Sequence, residues 1–507
     1  MPDASEPAIR SLPPLRRRTT HARLAPLIVL GAAAITLGGV TACSLGSFEH
    51  GSCTDHAQCR ESLGFGAICG SNGLCEQAVP TARCATTYPD DLFTQPARHR
   101  HDIVLASLMD HGSDAHVTRE KAVRLAIKDV NDAGGLEGRN FALVMCDIHQ
   151  DPLIDDLSRT AAAVASAGFA SRTLGIAAIV GPSASADVEQ VWQAMRDTGT
   201  LVISPAATSP ALSALETNTS EEAPGLLWRT APTDSVQGRV IAEDMLARKV
   251  GQAYVIRETG SYGEGLAGVF AERFRQGGGT LEVASIASEA QAIEAAAALP
   301  VESPAEVLFV SSQQNWIVSF LTAASTQHAY MDTGRGIFLT DAAANQAVLT
   351  NAAAASALYP QVRGTRPAPR DPSEYVLASF IGDFRAEYAG ASPTTATFSA
   401  HAYDAAWLVI YGAAWSLYAD GRISGVGIGR GLRHVSAGND VPIVSASWPG
   451  VLAAFRTGDS VNVRGASGDL DYHPMTRELS APIEIWSIGS MSGEFTMVRL
   501  DTRTPHD

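Results

Sequence analysis

The stretch that decides the fold covers residues 122–152 and reads AVRLAIKDVNDAGGLEGRNFALVMCDIHQDP. Its first part has the spacing of an amphipathic helix that Thr118 can cap and that the glycines at 134–135 can end. The residues that share the apolar face of this helix are Ala122, Val123, Ala126, Ile127 and Val130. The run FALVMC (141–146) then predicts a buried strand, so the stretch indicates one βαβ unit of a parallel sheet.

The same alternation of strands and helices continues on both sides of this stretch. Upstream, IVLASLM (103–109) predicts another buried strand. Downstream, predicted strands at 176–180, 201–204, 253–256, 281–286, 306–311 and 336–340 are accompanied by predicted helices at about 154–167, 185–198, 235–248 and 262–276. So many strands exceed one comfortable sheet, and we therefore predict an α/β fold of two doubly wound parallel-sheet lobes. Ligands of such sheets bind beyond the carboxyl ends of the strands.

Length and composition agree with a multidomain soluble body. The chain has 507 residues, of which 46% are hydrophobic, and this excludes a disordered tail, a collagen-like repeat and a small cysteine-dependent scaffold. Against 53 acidic residues stand 37 Lys and Arg, a net charge of −16, and no stretch gathers the basic residues into a patch. We therefore expect no nucleic-acid partner.

The N-terminal residues have the pattern of an export signal. Arg16–Arg18 and Arg23 precede an apolar run at 24–40 that is short for a transmembrane anchor, the alternative interpretation. The run ends in VTAC, which resembles a bacterial lipobox and implies that Cys43 is lipidated and becomes the first mature residue. Ser44 at the next position favours sorting to the outer membrane. We expect an exported protein, facing the periplasm or the cell surface, whose contact with the membrane is this lipid anchor.

The other cysteines suit an oxidising compartment, because six remain once Cys43 is set aside. Four of them lie in a polar stretch with too few apolar residues to fold without staples, so we predict two disulfides there and leave three connectivities open. Their spacing does not match the cysteine pairs of structural zinc sites. A third disulfide can staple this module to the main body. The four are Cys53, Cys59, Cys69 and Cys75, and the staple would join Cys84 to Cys146.

Eight segments, in order, resemble motifs of the type I periplasmic binding proteins that bind branched-chain amino acids. The opening stretch resembles their first βαβ unit, and AIVGPSASADV (178–188) and VISPAATSPAL (202–212) resemble their two ligand-gripping loops. The other segments that resemble this family are LWRTAPTDSVQG (227–238), SYGEGLAGVF (261–270), FLTDAAANQAVL (338–349), HAYDAAWLV (401–409) and VRGASGDLDYHP (463–474). The resemblance implies two lobes that are joined by three crossovers and close on a small solute.

These inferences give a domain plan for the whole chain. We predict a lipoprotein signal peptide at 1–42, a lipidated N-terminus with the disulfide-rich module at 43–84, a linker at 85–101, lobe 1 at 102–230 and 342–450, lobe 2 at 231–341, and a lobe 2 return with the C-terminal tail at 451–507.

Two post-strand loops carry candidate ligand contacts. Hydroxyls and free backbone N–H groups there stand at the start of a helix, where a carboxylate is received well. The resemblance implies that Ser183 or Ser185, the backbone of Ala206 and the hydroxyl of Thr208 hold an α-carboxylate. The alternative is that Ser185 and Thr208 serve only as cap and turn residues.

The resemblance places two further contacts on the second lobe. Tyr262 would lie over the ligand and Asp341 would pair with an α-ammonium group, unless Asp341 is simply a helix cap. After the strand at 306–311, Gln313–Asn315 and then Trp316 stand where the family commonly has aromatic residues. This departure suggests a more polar ligand than leucine, such as a glutamate-like or amide-like solute.

Enzyme functions find no support in the residues present. GPSAS has Ser185 where a nucleophile elbow needs glycine, GEGLAG (263–268) is a poor dinucleotide fingerprint, and no phosphate-binding P-loop occurs. Asp147, His149 and Asp151 could suggest a metal, but they sit at a strand end where the family keeps polar residues. We therefore predict no catalysis, cofactor or metal, and a receptor that captures an amino-acid-like ligand for ABC-type import through a permease. A ligand sensor and a non-transport scaffold of the envelope are the alternatives.

Overall fold

The computed structural model describes residues 52–300, 306–327, 330, 335–491 and 493–504. The predicted signal peptide and Cys43 lie outside these residues. No helix in the described ranges is both long and apolar enough to cross a bilayer.

The described strands form two large sheets and two small ones. The strands are β1 (Ala67–Cys69), β2 (Cys75–Gln77), β3 (Thr86–Tyr88), β4 (Ile103–Met109), β5 (Phe141–Asp147), β6 (Ala178–Val180), β7 (Leu201–Ser204), β8 (Leu227–Arg229), β9 (Gln252–Glu258), β10 (Thr280–Ile286), β11 (Glu306–Val310), β12 (Ile337–Leu339), β13 (Val362–Pro367), β14 (Asn439–Pro442), β15 (Val461–Arg464), β16 (Ile483–Met491) and β17 (Glu494–Arg503).

The helices of the lobes pack on both faces of the two large sheets, whereas the first helix packs on the small sheet β1-β2. They are α1 (His56–Leu63), α2 (Asp114–Asp132), α3 (Arg159–Gly168), α4 (Ser185–Met195), α5 (Asp234–Ala247), α6 (Ser261–Gln276), α7 (Glu289–Ala297), α8 (Gln314–Ala324), α9 (Gln346–Asn351), α10 (Tyr375–Glu387), α11 (Ser399–Asp420), α12 (Gly425–Gly431) and α13 (Trp448–Arg456).

Lobe 1 is built on the sheet β3-β5-β4-β6-β7-β8, in which β3 is antiparallel to β5 and the other pairs are parallel. Alternate residues of β4 serve opposite faces: Leu105 packs with Ala126 and Trp407 in one apolar cluster, whereas Ala106 packs with α3 and α4 in another. A sheet buried on both faces needs near-continuous apolar strands, which IVLASLM and FALVMC supply. The doubly wound expectation is confirmed for this lobe.

Lobe 2 is built on the sheet β10-β9-β11-β12-β13-β16-β17, parallel as far as β13 and antiparallel beyond it. Along β11, Phe309 faces α8 and stacks on Phe320, while Leu308 faces the opposite cluster with α5 and α6. The chain crosses between the lobes after β8, after β13 and before β16. The two lobes and three crossovers therefore agree with the predicted fold class.

The lobe boundaries in the structure differ from those of the domain plan. Residues 342–367 belong to lobe 2, because β13 pairs with β12 and residues such as Leu349 lie in a lobe 2 cluster. Lobe 1 resumes only at α10 and extends past residue 450, since Trp448 and Leu470 lie in a lobe 1 cluster. The plan failed here because β13, VRGTRP, has no apolar run to mark it as a central strand.

Two smaller expectations also differ from the structure. Residues 85–101 are not purely a linker, because Thr86–Tyr88 forms the edge strand β3 on β5. Thr118 does not cap α2, which begins at Asp114; the Thr118 hydroxyl instead donates to the Asp114 carbonyl oxygen. Residues 114–117, DAHV, extend the helix by about one turn before the face that begins at Ala122.

The cysteines form three disulfides, and the connectivity left open by the sequence is Cys53–Cys69 and Cys59–Cys75. The core of the small module is largely these sulfur atoms, as expected where apolar residues are few. The predicted staple between Cys84 and Cys146 is present and joins the segment to β5. The module therefore sits against lobe 1, where Phe65 contacts the Phe93 ring.

Candidate functional site

The carboxyl ends of the strands in both lobes meet at one cleft. Its innermost part, here called the inner chamber, has a volume of about 40 Å³. The outer cleft has a volume of about 780 Å³ and shares the lining residues His116, Arg159, Ser312 and Gln314 with the inner chamber. The two cavities are therefore continuous, which is the arrangement expected where parallel strands of two lobes end face to face.

The loops after β6 and β7 form the lobe 1 wall of the inner chamber. Ser183, Ser185 and Ala206 line the chamber, and α4 begins at Ser185, so the positive end of that helix lies at the chamber wall. The Ser185 hydroxyl oxygen accepts the Ser209 N–H at 3.2 Å, which ties the two loops together. This wall offers neutral donors and one helix N-terminus, a suitable surface for a carboxylate.

Two buried carboxyl groups lie on the other side of the site: Asp341 lines the inner chamber, and Asp234 lies behind the lining residues. Asp341 is 3% exposed, and its Oδ1 accepts the Tyr262 hydroxyl at 2.5 Å and the Gln237 amide at 3.0 Å. Asp234 is fully buried, and its Oδ2 accepts the Thr208 hydroxyl at 2.9 Å. These contacts fix both carboxyl groups in place.

The acid pair is electrostatically strained. Burial raises the pKa of Asp341, and it raises the pKa of Asp234 well above its usual range, with a second contribution from the charge of Asp341. Oδ1 of Asp234 is buried and has no hydrogen-bond partner among the described residues. Two carboxylates in a low dielectric, one with an unused oxygen, favour a cation or a proton between them.

Positively charged groups line another part of the chamber. Arg119 is 4% exposed, and its Nε donates to the Thr397 carbonyl oxygen at 3.0 Å. Arg159 is already engaged, because its Nε donates to Asp187 at 2.7 Å and its Nη1 to the Gln313 side-chain oxygen at 2.7 Å. His116 accepts the Asp110 N–H at its Nδ1, and burial lowers its pKa well below the usual range.

The two lobes touch across the cleft. Gln313 of lobe 2 accepts from Arg159 of lobe 1, the Ser113 hydroxyl donates to the Gln314 side-chain oxygen at 3.4 Å, and the Ser209 hydroxyl donates to the Ser261 carbonyl oxygen at 2.7 Å. The structure is therefore a closed form. The amides that depart from the family's aromatic residues make two of these contacts.

Five of the six residues predicted from sequence line the inner chamber. They are Ser183, Ser185, Ala206, Tyr262 and Asp341. The sixth, Thr208, lies behind the wall and donates to Asp234 instead of lining the chamber. Asp341 starts a short 3-10 turn, and Thr340 occupies its cap position.

Sequence reasoning missed two residues of this site. Asp234 stands inside a segment that resembles the family, but the resemblance implies an interlobe crossover there and not a ligand contact. Arg119 had a visible signal, because it lies three residues before Ala122 and four before Val123, on the apolar face of α2. A charged residue on the apolar face of a helix is buried when the helix packs, so its position indicates a functional or structural partner.

Two doubly wound lobes that close on a polar cleft define the class of type I periplasmic binding proteins. Residues 118–486 match the family described as the receptor family ligand binding region, ANF_receptor, and the chain belongs to this family.

Relatives and solved structures agree with the family. The chain is 32% identical to the Leu/Ile/Val/Thr-binding protein of Salmonella typhimurium over 154 residues and 30% identical to the Leu/Ile/Val-binding protein of Escherichia coli K12 over 153 residues. These matches span 30% of this chain and 38% and 37% of the relatives, so well under half of each relative is covered.

Two crystal structures share the fold. A leucine binding protein from Thermotoga maritima superposes with a TM-score of 0.60 at 16% identity, covering 80% of this chain and 99% of the other. A branched-chain amino acid transporter substrate binding protein from Streptococcus pneumoniae, in complex with isoleucine, gives 0.57 at 17% identity and covers 79% and 100%.

Proposed function

We propose that this chain is an extracytoplasmic binding protein that captures a free amino acid between its lobes. The observation that carries the proposal is the buried carboxyl group of Asp341, which lines the inner chamber together with the neutral donors of lobe 1 and has the buried Asp234 nearby. A zwitterionic head group has the complementary charges, since its ammonium meets the acids and its carboxylate meets Ser183, Ser185 and the backbone of Ala206.

The acid pair selects an ammonium group for a physical reason. A buried carboxylate without a counter-charge is costly, and the costs rise when a second carboxylate lies nearby. An ammonium group in the chamber can donate to Asp341, and its positive charge also offsets the charge of the nearby Asp234. Tyr262 and Gln237 hold Asp341 in position for that contact.

Delivery to an ABC importer is the second part of the proposal. Relatives of this chain are named as leucine-, isoleucine-, valine- and threonine-binding proteins, and structures with its fold are named as ABC transporter substrate-binding proteins. The three disulfides suit an oxidising compartment. We further propose export and lipid anchoring at Cys43, with outer-membrane sorting, and a permease as the partner. A ligand-sensing receptor or a non-transport scaffold is the alternative.

Calorimetric titration tests the binding proposal. The twenty amino acids, their N-acetyl forms and their carboxyl-amidated forms are titrated into the purified chain. We expect one or a few free amino acids to bind, and both kinds of blocked analogue to bind at least tenfold more weakly, since each loses a charged hydrogen-bonding group.

Asp341→Asn should weaken binding of the free amino acid by more than about tenfold, because one partner of a buried charge pair is lost. The control is Asp404→Asn, which removes an equally buried carboxyl group that serves Ala466 and Ser467 and does not line the chamber. Equal affinities for the two variants, or tight binding of N-acetyl amino acids, would contradict the proposal.

A further inference from the structure

We propose that the ligand has a second anionic group and that Arg119 binds it, so the preferred ligands are acidic amino acids. This inference rests on the proposed function and adds the chemical class of the ligand side chain.

Arg119 is a buried cation with unused donors. It lies on α2, is 4% exposed and lines the inner chamber. Its Nε donates to the Thr397 carbonyl oxygen, and the guanidinium carbon lies 5.3 Å from the centre of the Phe398 ring. Within the described residues no carboxylate lies within 4.0 Å of Arg119, and its terminal nitrogens have no hydrogen-bond partner. A guanidinium carries five N–H donors, so most of its capacity is available to a ligand.

The groups around Arg119 do not offset its charge. Burial, together with the charge of Arg119, keeps His116 and His401 neutral. These two causes lower the pKa of His401 to about 3. Burial lowers the pKa of Arg119 to about 10, so the group is still charged at neutral pH. The carboxylate that acts on it is Asp341, at a distance beyond direct contact. Because Asp341 is needed for the ammonium, Arg119 is left for a separate anion.

The neighbouring arginine does not play this part. Arg159 donates to the carboxylate of Asp187, which is 1% exposed, and to Gln313. Its charge is already matched within the protein. Arg119 is thus the described cation of the inner chamber that lacks a bonded anion.

Phe398 and Thr397 hold the Arg119 side chain in place. Phe398, which packs under the guanidinium, has φ +70°, a left-handed conformation that is costly for an aromatic residue. Thr397, whose carbonyl oxygen holds Nε, is itself tied to lobe 2: its N–H donates to Asn345 at 2.8 Å and its hydroxyl donates to the Ala344 carbonyl oxygen. The site therefore keeps the guanidinium at one orientation facing the chamber.

The charge balance selects the ligand. With a neutral amino acid, the closed cleft would hold the ammonium on the acid pair and leave Arg119 buried and unpaired, which is unfavourable. An acidic side chain supplies the missing anion and can accept two parallel N–H groups. A small, charged chamber also has little apolar surface for a leucine side chain, since Phe398 and three alanines are its described hydrophobic lining besides Tyr262.

Calorimetric titration of the purified protein compares ligands and variants. L-glutamate, L-aspartate, L-glutamine, L-leucine and glutarate are titrated into wild type, Arg119→Met, Arg119→Lys and Arg124→Met. Arg124 is the matched control, since it lies on the same helix but packs on Tyr88 and near Glu387 outside the chamber. Circular dichroism establishes that each variant is folded.

We expect wild type to bind glutamate or aspartate at least about tenfold more tightly than glutamine or leucine. Arg119→Met should remove that preference, Arg119→Lys should keep part of it, and Arg124→Met should leave it unchanged. Equal or tighter binding of leucine or glutamine by wild type would overturn the inference and leave the proposed function standing. Glutarate binding as tightly as glutamate would overturn the ammonium contact of the proposed function while supporting Arg119. Binding of none of the five ligands would overturn the inference.

Discussion

Thr208 shows how a single hydroxyl can act on a ligand through another residue. The Thr208 hydroxyl donates a hydrogen bond to the buried carboxyl group of Asp234. This hydrogen bond lowers the pKa of Asp234, whereas burial and the charge of Asp341 raise it. We infer that Thr208 keeps Asp234 charged, so that Asp234 adds to the attraction of Asp341 for an ammonium group. Its role at the site is to position and charge Asp234.

Thr208→Val should therefore weaken amino-acid binding by about tenfold at neutral pH, because a hydrogen bond to a charged group is lost. The loss should deepen as the pH falls. An acid with a raised pKa is protonated at higher pH, and a protonated pair no longer attracts an ammonium group. Calorimetry between pH 5 and 8 measures both effects. Thr208→Ser, which keeps the donor, should behave as wild type; affinity that is equally insensitive to pH in both variants would refute this role.

The residues of the site differ in how far the sequence could reveal them. Ser183 and Ser185 follow strands, so the rule that ligands bind beyond strand ends pointed to them, whereas Tyr262 and Asp341 came from the family resemblance. Arg119 follows no strand. It reaches the chamber because α2 begins at Asp114, one turn before its apolar stripe, and helix starts are poorly defined by periodicity alone.

At the scale of elements, the contact between α2 and α11 contains a buried acid. Asp129 of α2 accepts the Tyr403 hydroxyl of α11 at 2.7 Å and is 7% exposed. Burial raises its pKa to about 6. Because the folded protein holds this proton more tightly than the unfolded chain, Asp129 favours the fold at low pH, and this contribution is lost as the pH rises from about 4 to about 6.

Asp129→Asn should therefore match wild-type stability near pH 4 and exceed it at pH 7 by an amount on the order of 2 kcal/mol. The asparagine still accepts the Tyr403 hydroxyl and carries no charge to bury. Urea unfolding at several pH values measures the difference. Asp132→Asn, an exposed carboxylate on the same helix, is the control, and a stability difference that does not change with pH would contradict the assignment.

Sequence patterns predicted the elements better than their assignment to lobes. Strands such as FALVMC and EVLFV are buried on both faces, so they are visible in the sequence as apolar runs. β13 alternates charged and small residues and pairs antiparallel with β16, so nothing local marks it as a member of the lobe 2 sheet. Its place in the sheet is decided by two partners that are not adjacent in sequence, β12 and the much more distant β16.

At the scale of the whole molecule, closure depends on contacts from the loop after β11. Gln313 accepts from Arg159 across the cleft, and Ser113 donates to Gln314. Gln314 also lines the inner chamber, whereas Gln313 lines only the outer cleft, so Gln313 stabilises the closed form away from the proposed head-group contacts.

Gln313→Ala should speed ligand dissociation several-fold while leaving the association rate nearly unchanged, since a charge-assisted hydrogen bond that exists only in the closed form is lost. Stopped-flow fluorescence measures both rates, and small-angle scattering should show a larger radius of gyration. Gln276→Ala, an exposed amide on α6 of the same lobe, is the control. An unchanged dissociation rate would show that Gln313 does not hold the lobes together.

The staple between Cys84 and Cys146 makes the two halves of the molecule mechanically unequal. The disulfide ties the N-terminal module to β5 of lobe 1, and the guanidinium of Arg60 adds a hydrogen bond to the Thr173 carbonyl oxygen in the same lobe. A force applied to the N-terminal end of the chain is therefore borne by lobe 1 through a covalent link. Among the described residues lobe 2 has no such disulfide, so we expect the proposed closure to move lobe 2 while lobe 1 and the N-terminal module stay fixed to each other.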